Sequence, residues 1–354
     1  MFPSIKTLIT LACLTLLGAI GGWLAHWLGL PLPYMMGSLL ATSMVAVFLP
    51  RVVPEDYKTP DLFRASFIAL IGVTIGARVT WEVLVELSRA IPSFVALTVF
   101  VPLVLAVNYV IFRKVGGYDR PTSFFSGTPG GLMEAMLLGE QNGADVRLVT
   151  MQQFLRIIFV VTLLPIGLSV WYGHPVGSAG GMSLSRAEAG LEHLPEVIVI
   201  GAIGLFLARW LNIPAGQLVG PLLVGALVTI AGLAVIEVPA WMISAAQVVI
   251  GSSLGIRFIG ISAGLIARGM GLASLSVGAM LLIGGLFAAL VRPLTGEPFD
   301  VLLISFSPGG VTEMALIALS LQANPAFVTT HHIYRILLTV AVMVWSMKRV
   351  LPRD

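Results

Sequence analysis

Four stretches of this chain, residues 91–112, 213–236, 238–256 and 269–291, contain no charged side chain. Each is about as long as the ~20 residues a helix needs to cross a bilayer. Lipid offers backbone N–H and C=O groups no partner, so such runs satisfy them internally as helices. The rest of the composition agrees. Of 354 residues, 57% are hydrophobic and 10% charged, with a mean hydropathy of +0.99; a soluble domain carries about 25% charged residues. The fold class expected is an all-α integral membrane protein, a polytopic helical bundle whose first partner is the lipid bilayer. The net charge of +3 comes from Lys and Arg near helix ends, as the positive-inside rule describes. No basic tract suits nucleic acid. The single cysteine, Cys13, excludes an intrachain disulfide framework and any Cys-rich metal site.

The chain reads as a duplication. Ser126-Gly127-Thr128-Pro129-Gly130-Gly131-Leu132-Met133-Glu134 returns 179 residues later as Ser305-Phe306-Ser307-Pro308-Gly309-Gly310-Val311-Thr312-Glu313. Gly72 to Arg78 matches Gly251 to Arg257 at the same shift, and the stretch ending in Arg156 matches the one ending in Arg335. Earlier, the corner Trp27-Leu28-Gly29-Leu30-Pro31 returns 183 residues later as Trp210-Leu211-Asn212-Ile213-Pro214, and Gly37-Ser38-Leu39-Leu40 as Gly220-Pro221-Leu222-Leu223. Lys6 followed by residues 8–25 has the form of a signal peptide, but a first helix with a counterpart in mid-chain is expected to be retained. Residues 1–172 form one membrane repeat and 197–354 the second, with the Gly- and Ser-containing stretch 173–196 as linker. At the corners, Pro31, Pro33 and Pro214 stop a helix, and Trp23, Trp27 and Trp210 suit the membrane interface.

Each half holds five segments long enough to span, plus an apolar piece after Pro-Gly-Gly that is too short to cross alone. Read as a re-entrant half-helix, that piece leaves five crossings per half and inverts the second half. About ten spanning helices and two re-entrant half-helices result. Charge favours this arrangement: with a cytoplasmic N-terminus only Arg78, Arg89, Arg186 and Arg292 fall outside, whereas parallel six-span halves move Arg209, Arg257 and Arg268 to the wrong side. Residues 80–90, with Glu82, Glu86 and Arg89, read as an interfacial helix. A multi-pass protein of the inner (plasma) membrane is expected.

The two Pro-Gly-Gly motifs carry the chemistry. Thr128 or Ser307 can serve as N-cap with the proline at the first helical position. Unpaired N–H groups and the positive dipole end then favour an anion. The candidate substrate-binding residues are Ser126, Thr128, Gly130, Gly131, Ser305, Ser307, Gly309 and Gly310, with Arg156 and Arg335. Glu134 and Arg156 are 22 residues apart, as are Glu313 and Arg335. Ionisable groups at membrane depth are costly, so these either pair and neutralise one another, or the glutamates couple protons while the arginines meet substrate. The small-xxx-small pairs Gly72/Gly76 and Gly251/Gly255 suit close helix packing, with no functional role required.

These motifs resemble the AbrB-type membrane family, whose members carry two AbrB duplication domains. The resemblance covers about residues 8–345 and rests on the Leu-Gly-Leu-Pro corner at 28–31, Gly-Ser-Leu-Leu at 37–40, the Pro-Gly-Gly motifs with their glutamates, and Arg156 with Arg335. Members are labelled variously as ammonia monooxygenases, regulators of gene expression or transporters, and no catalytic residues carry over. A monooxygenase needs a metal or flavin, yet His26, His174, His193, His331 and His332 show no ligand spacing, and adjacent His331 and His332 point about 100° apart on a helix. No catalytic residue, cofactor or metal is expected, and no nucleic acid. Two readings stay open: a secondary transporter of a small, anionic metabolite with a midplane site, and a membrane sensor or scaffold acting indirectly on gene expression. The first expects a polar cavity between the two half-helices, the second dry packing. A homo-oligomer is compatible with both.

Overall fold

The computed structural model describes residues 4–54, 57–81, 89–173, 190–234, 236–321 and 323–350. Most of the expected interfacial helix (82–88) and of the linker (174–189, with Arg186) lie outside the described residues. The described elements are helical. Among the described residues, six helices are long and apolar enough to cross a membrane: α1 (Ile5–Trp27), α4 (Ile91–Val110, continued to Val115 by a wider turn), α7 (Val146–Tyr172), α10 (Ala240–Gly255, continued to Phe258), α11 (Ala263–Thr295) and α14 (Pro325–Val350). Four more, α2 (Pro33–Phe48), α3 (Asp61–Gly76), α8 (Leu194–Trp210) and α9 (Gly216–Ile230), have 15 to 17 residues. At 1.5 Å per residue these reach about 22–26 Å, short of a ~30 Å core. The uncharged run 213–236 is therefore longer than the helix it forms. Left-handed Ala215 (φ 52°) delays the start of α9, and a turn through Gly232 (φ 65°) ends it. The remaining helices are short: α5 (Arg120–Ser126), α6 (Leu132–Gln141), α12 (Phe299–Phe306) and α13 (Val311–Ser320).

The chain divides into two compact units, each drawn from both halves of the sequence. The first holds residues 1–85, 165–261 and 315–326, hence α1, α2, α3, α8, α9 and α10 with the end of α7 and most of α13. Its helices meet through glycine. α1 and α2 touch at Gly21 and Gly37, and α8 and α9 touch at Gly204 and Gly220. Gly72 and Gly76 of α3 lie against the Leu218 and Leu222 carbonyls of α9, while Gly251 and Gly255 of α10 lie against the Met35 and Leu39 carbonyls of α2. A Cβ at Gly255 would stand 2.7 Å from Leu39 O, so these glycines serve close packing. At the corners the chain turns through left-handed residues at matching places, Gly29 and Leu32 before α2, and Asn212 and Ala215 before α9. An L-residue there costs about 1–2 kcal/mol. Leu32 offsets it by full burial.

The second unit comprises residues 86–164, 262–314 and 327–354. α4 and α11 pack side by side along it. Phe100 of α4 meets Phe287 of α11 and Phe306 of α12 edge to face. A separate cluster of Leu105, Phe124, Phe125, Ala135, Val149 and Met343 holds α5 and α6 against α4, α7 and α14. Asn108 ties these layers together: its amide donates to Gly127 O (3.2 Å) and its carbonyl accepts from Ser276 Oγ (3.0 Å).

Candidate functional site

Both Pro-Gly-Gly motifs lie in the second unit, each as a break between two short helices. α5 is started by Asp119, whose carboxylate accepts from Thr122 N at 2.7 Å. Thr128 and Ser307 do not start the helices that follow. Thr128 Oγ donates back to Phe125 O (3.2 Å) and Ser307 Oγ to Leu303 O (2.6 Å), so both close the helix before the break. A helix end leaves its last carbonyls unpaired, and a hydroxyl just past it reaches them, whereas Pro-Gly-Gly separates it from the next helix. α6 begins only at Leu132, with left-handed Gly131 (φ 64°) as N-cap, and α13 begins at Val311. This corrects the expected start at the proline. Ser305 Oγ donates to Val301 O (2.8 Å) of its own helix, and Ser126 Oγ is buried without a partner.

The glutamates stand at the third residue of α6 and α13. From that position a carboxylate reaches back toward the helix start, where the dipole favours it. Glu134 is half-buried, with an oxygen 3.4 Å from where a Cβ on Gly131 would sit. Glu313 is buried and turned onto Gly310 so closely that a Cβ there would collide with it.

Arg156 and Arg335, on α7 and α14, are both buried. Their hydrogen bonds go to backbone carbonyls at the breaks rather than to either glutamate. Arg156 Nη1 donates to Thr128 O at 2.6 Å; Arg335 Nη1 donates to Ser307 O and Nη2 to Gly309 O at 2.8 Å. Arginine and first carbonyl are 28 residues apart in both cases. Each guanidinium keeps a buried Nε–H without partner, and the charge of Arg156 is felt at Arg335. The glycines are packed: a Cβ on Gly130 would lie 3.3 Å from Thr339 Oγ and one on Gly309 2.6 Å from the Met314 side chain.

Three further residues belong here that motif reasoning passed over. Gln153, one turn before Arg156, donates through Nε2 to Phe125 O and Thr128 Oγ, both at 2.8 Å, and its Oε1 is unpartnered. His331 lies between the rings of Phe94 and Phe327 (4.3 and 4.1 Å). Its Nδ1 hydrogen-bonds Phe327 O and its Nε2 the Ser93 hydroxyl, both at 2.7 Å, and that hydroxyl is also 2.7 Å from Ala90 O. His332, one turn before Arg335, donates Nδ1–H to Val328 O at 3.0 Å. Its Nε2 is buried with no partner at hydrogen-bonding geometry, and the ring lies near Arg335 and the Ser307 backbone. The signal was available: both pairs fall inside the matched stretches, at the same offset from the arginine. A groove of about 600 Å³ in the first unit, lined by apolar residues such as Phe67, Leu70, Val197 and Leu205, carries no comparable set of polar groups.

Comparison with known proteins adds a family. The family model described as "Transition state regulatory protein AbrB" matches residues 39–350. A Bacillus subtilis (strain 168) protein named "Uncharacterized protein YhjN" is 28% identical, the match covering 92% of this chain and 89% of that one. A protein of Escherichia coli (strain K12) named "Putative regulator AbrB" is 27% identical over 93% of each chain.

Proposed function

This chain belongs to the AbrB family, and from that premise we propose that it is a secondary transporter of a small anionic metabolite, multi-pass in the plasma membrane, with its site at the two broken helices. One observation carries the reading. Two arginines are buried in helices long and apolar enough to span, every hydrogen bond described for them goes to a backbone carbonyl, and each guanidinium keeps an unused N–H. A buried cation without a counter-charge costs several kcal/mol, and an arriving carboxylate supplies that charge and a geometry matched to the guanidinium fork. Inverted repeats with interrupted helices at corresponding positions are the usual setting for such a site. Hence the duplication, five crossings per half and two re-entrant segments are part of the proposal.

A second reading, a membrane sensor that acts on gene expression through a partner, draws on the regulator name of the Escherichia coli relative. It shares the ligand site but not the flux. Purified protein is heated with acetate, L-lactate, succinate or tetramethylammonium. The expected result is stabilisation by at least one carboxylate, about 2.7 kcal/mol at a hundredfold excess over Kd, followed by uptake of that carboxylate into proteoliposomes. Stabilisation without uptake favours the sensor, and a response to the cation alone or to nothing overturns the site.

A further inference from the structure

Resting on this reading of the site, we infer that His332 is its proton-binding group and that proton and anion bind together. The imidazole is committed at one nitrogen, since Nδ1–H donates to Val328 O; the neutral ring therefore presents a bare lone pair at Nε2. That nitrogen is buried and unpartnered. The Ser307 backbone lies by the ring, and its carbonyl already receives the Gly309 N–H (2.9 Å) and Arg335 Nη1. A carbonyl oxygen has two lone pairs, and both are taken. A proton added to Nε2 thus has only a carbonyl that two donors already occupy to turn to, and meets repulsion from a guanidinium one turn away.

The charged and titratable surroundings point the same way. On its own helix, His332 faces Arg335 and the hydrogen-bonded, ring-stacked His331. From α7, the charge of Arg156 is felt at Arg335. On α13, Glu313 is turned onto Gly310 at the helix start. An anion seated on the unused guanidinium N–H groups changes both conditions at once, cancelling the repulsion and supplying the acceptor for Nε2–H. The step balances as one N–H bond formed with a proton taken from water, the imidazole becoming imidazolium. By linkage, an anion that favours protonation is itself bound more tightly when the proton is present. Here His332 takes the proton, rather than Glu134 or Glu313, the carboxylates expected either to couple protons or to pair with the arginines.

The test is proton uptake. Acetate or succinate is added to full-length purified protein in weak buffer with a pH indicator, and anion Kd is measured at several pH values. Wild type is expected to take up one proton per anion, and to bind the anion tenfold more tightly for each unit the pH falls, down to a plateau. His332→Gln, which puts an amide that does not titrate in place of the imidazole, loses the uptake and flattens the profile, whereas Glu313→Gln keeps the uptake. Where His332→Gln fails to fold, the wild-type slope decides: a flat profile overturns the inference. Anion binding without uptake, uptake surviving in His332→Gln, or uptake lost in Glu313→Gln would each overturn it while leaving the anion site standing. If neither anion binds, the site and this inference fall together.

Discussion

At the first break Gln153 donates twice into the end of α5 and Arg156 holds one carbonyl. At the second, His332 takes the place of Gln153 and Arg335 holds two carbonyls. The frame is shared, with a 28-residue reach, a hydroxyl that closes the preceding helix and a glutamate at the third residue of the next. Two positions differ in this way: Gln152 and Gln153, amides that do not titrate, stand where the second break has His331 and His332, imidazoles that can. Of the two imidazoles, His332 is the one with a ring nitrogen left unpartnered, so the proposed proton site has no counterpart at the first break.

The largest difference should appear on removing each arginine. Arg335→Met strands Gly309 O completely, while Ser307 O keeps the Gly309 N–H. Arg156→Met leaves Thr128 O with only a long contact from Gln153 Nε2, at 3.5 Å. A buried, unsatisfied carbonyl costs about 1–3 kcal/mol. Met relieves the cost of the buried charge in both variants, so the stranded carbonyl sets the difference between them, and Arg335→Met should unfold at the lower temperature of the two in detergent. Equal midpoints would show that the second break is not the more firmly held.

Next comes the backbone. Gly131 is left-handed at 64°, whereas Gly310 is not among the positive-φ glycines. Gly131→Ala should cost about 1–2 kcal/mol from chirality alone, while Gly310→Ala meets only the movable end of Glu313 and should cost less. Thermal midpoints of the two proteins check this, and a reversed order would mean that the Glu313 carboxylate is immovable.

Much of this was legible in the residues, and the exceptions have physical causes. Uncharged runs announced helices, and the paired glycines at 72, 76, 251 and 255 announced close packing, because lipid leaves helix contacts to small residues. The matched stretches led to both breaks and both arginines. Helix starts were misplaced by three residues at the first break, since a hydroxyl beside Pro-Gly-Gly can serve either the helix behind it or the one ahead, and spacing does not distinguish them. His332 was weighed only as a metal ligand. Its importance comes from which carbonyl lone pairs are already used, and that is a three-dimensional count.

The smallest expected effect concerns the glutamates. Glu134 is half-buried and Glu313 buried, yet both occupy the third helical residue, where glutamine serves nearly as well as glutamate in reaching back to the helix start. Losing the favourable dipole interaction costs about 0.3–1 kcal/mol. For buried Glu313 the neutral amide also avoids the cost of burying a charge, which offsets part of that loss. Glu134→Gln and Glu313→Gln should therefore melt within a few degrees of wild type and of each other, with carboxylate-induced stabilisation and its pH dependence unchanged. If Glu313→Gln alone lost its pH dependence, the proton would belong to the carboxylate and the two halves would differ at α13 rather than at His332. If both variants lost it together, the halves would act alike and the asymmetry between Gln153 and His332 would have no functional weight.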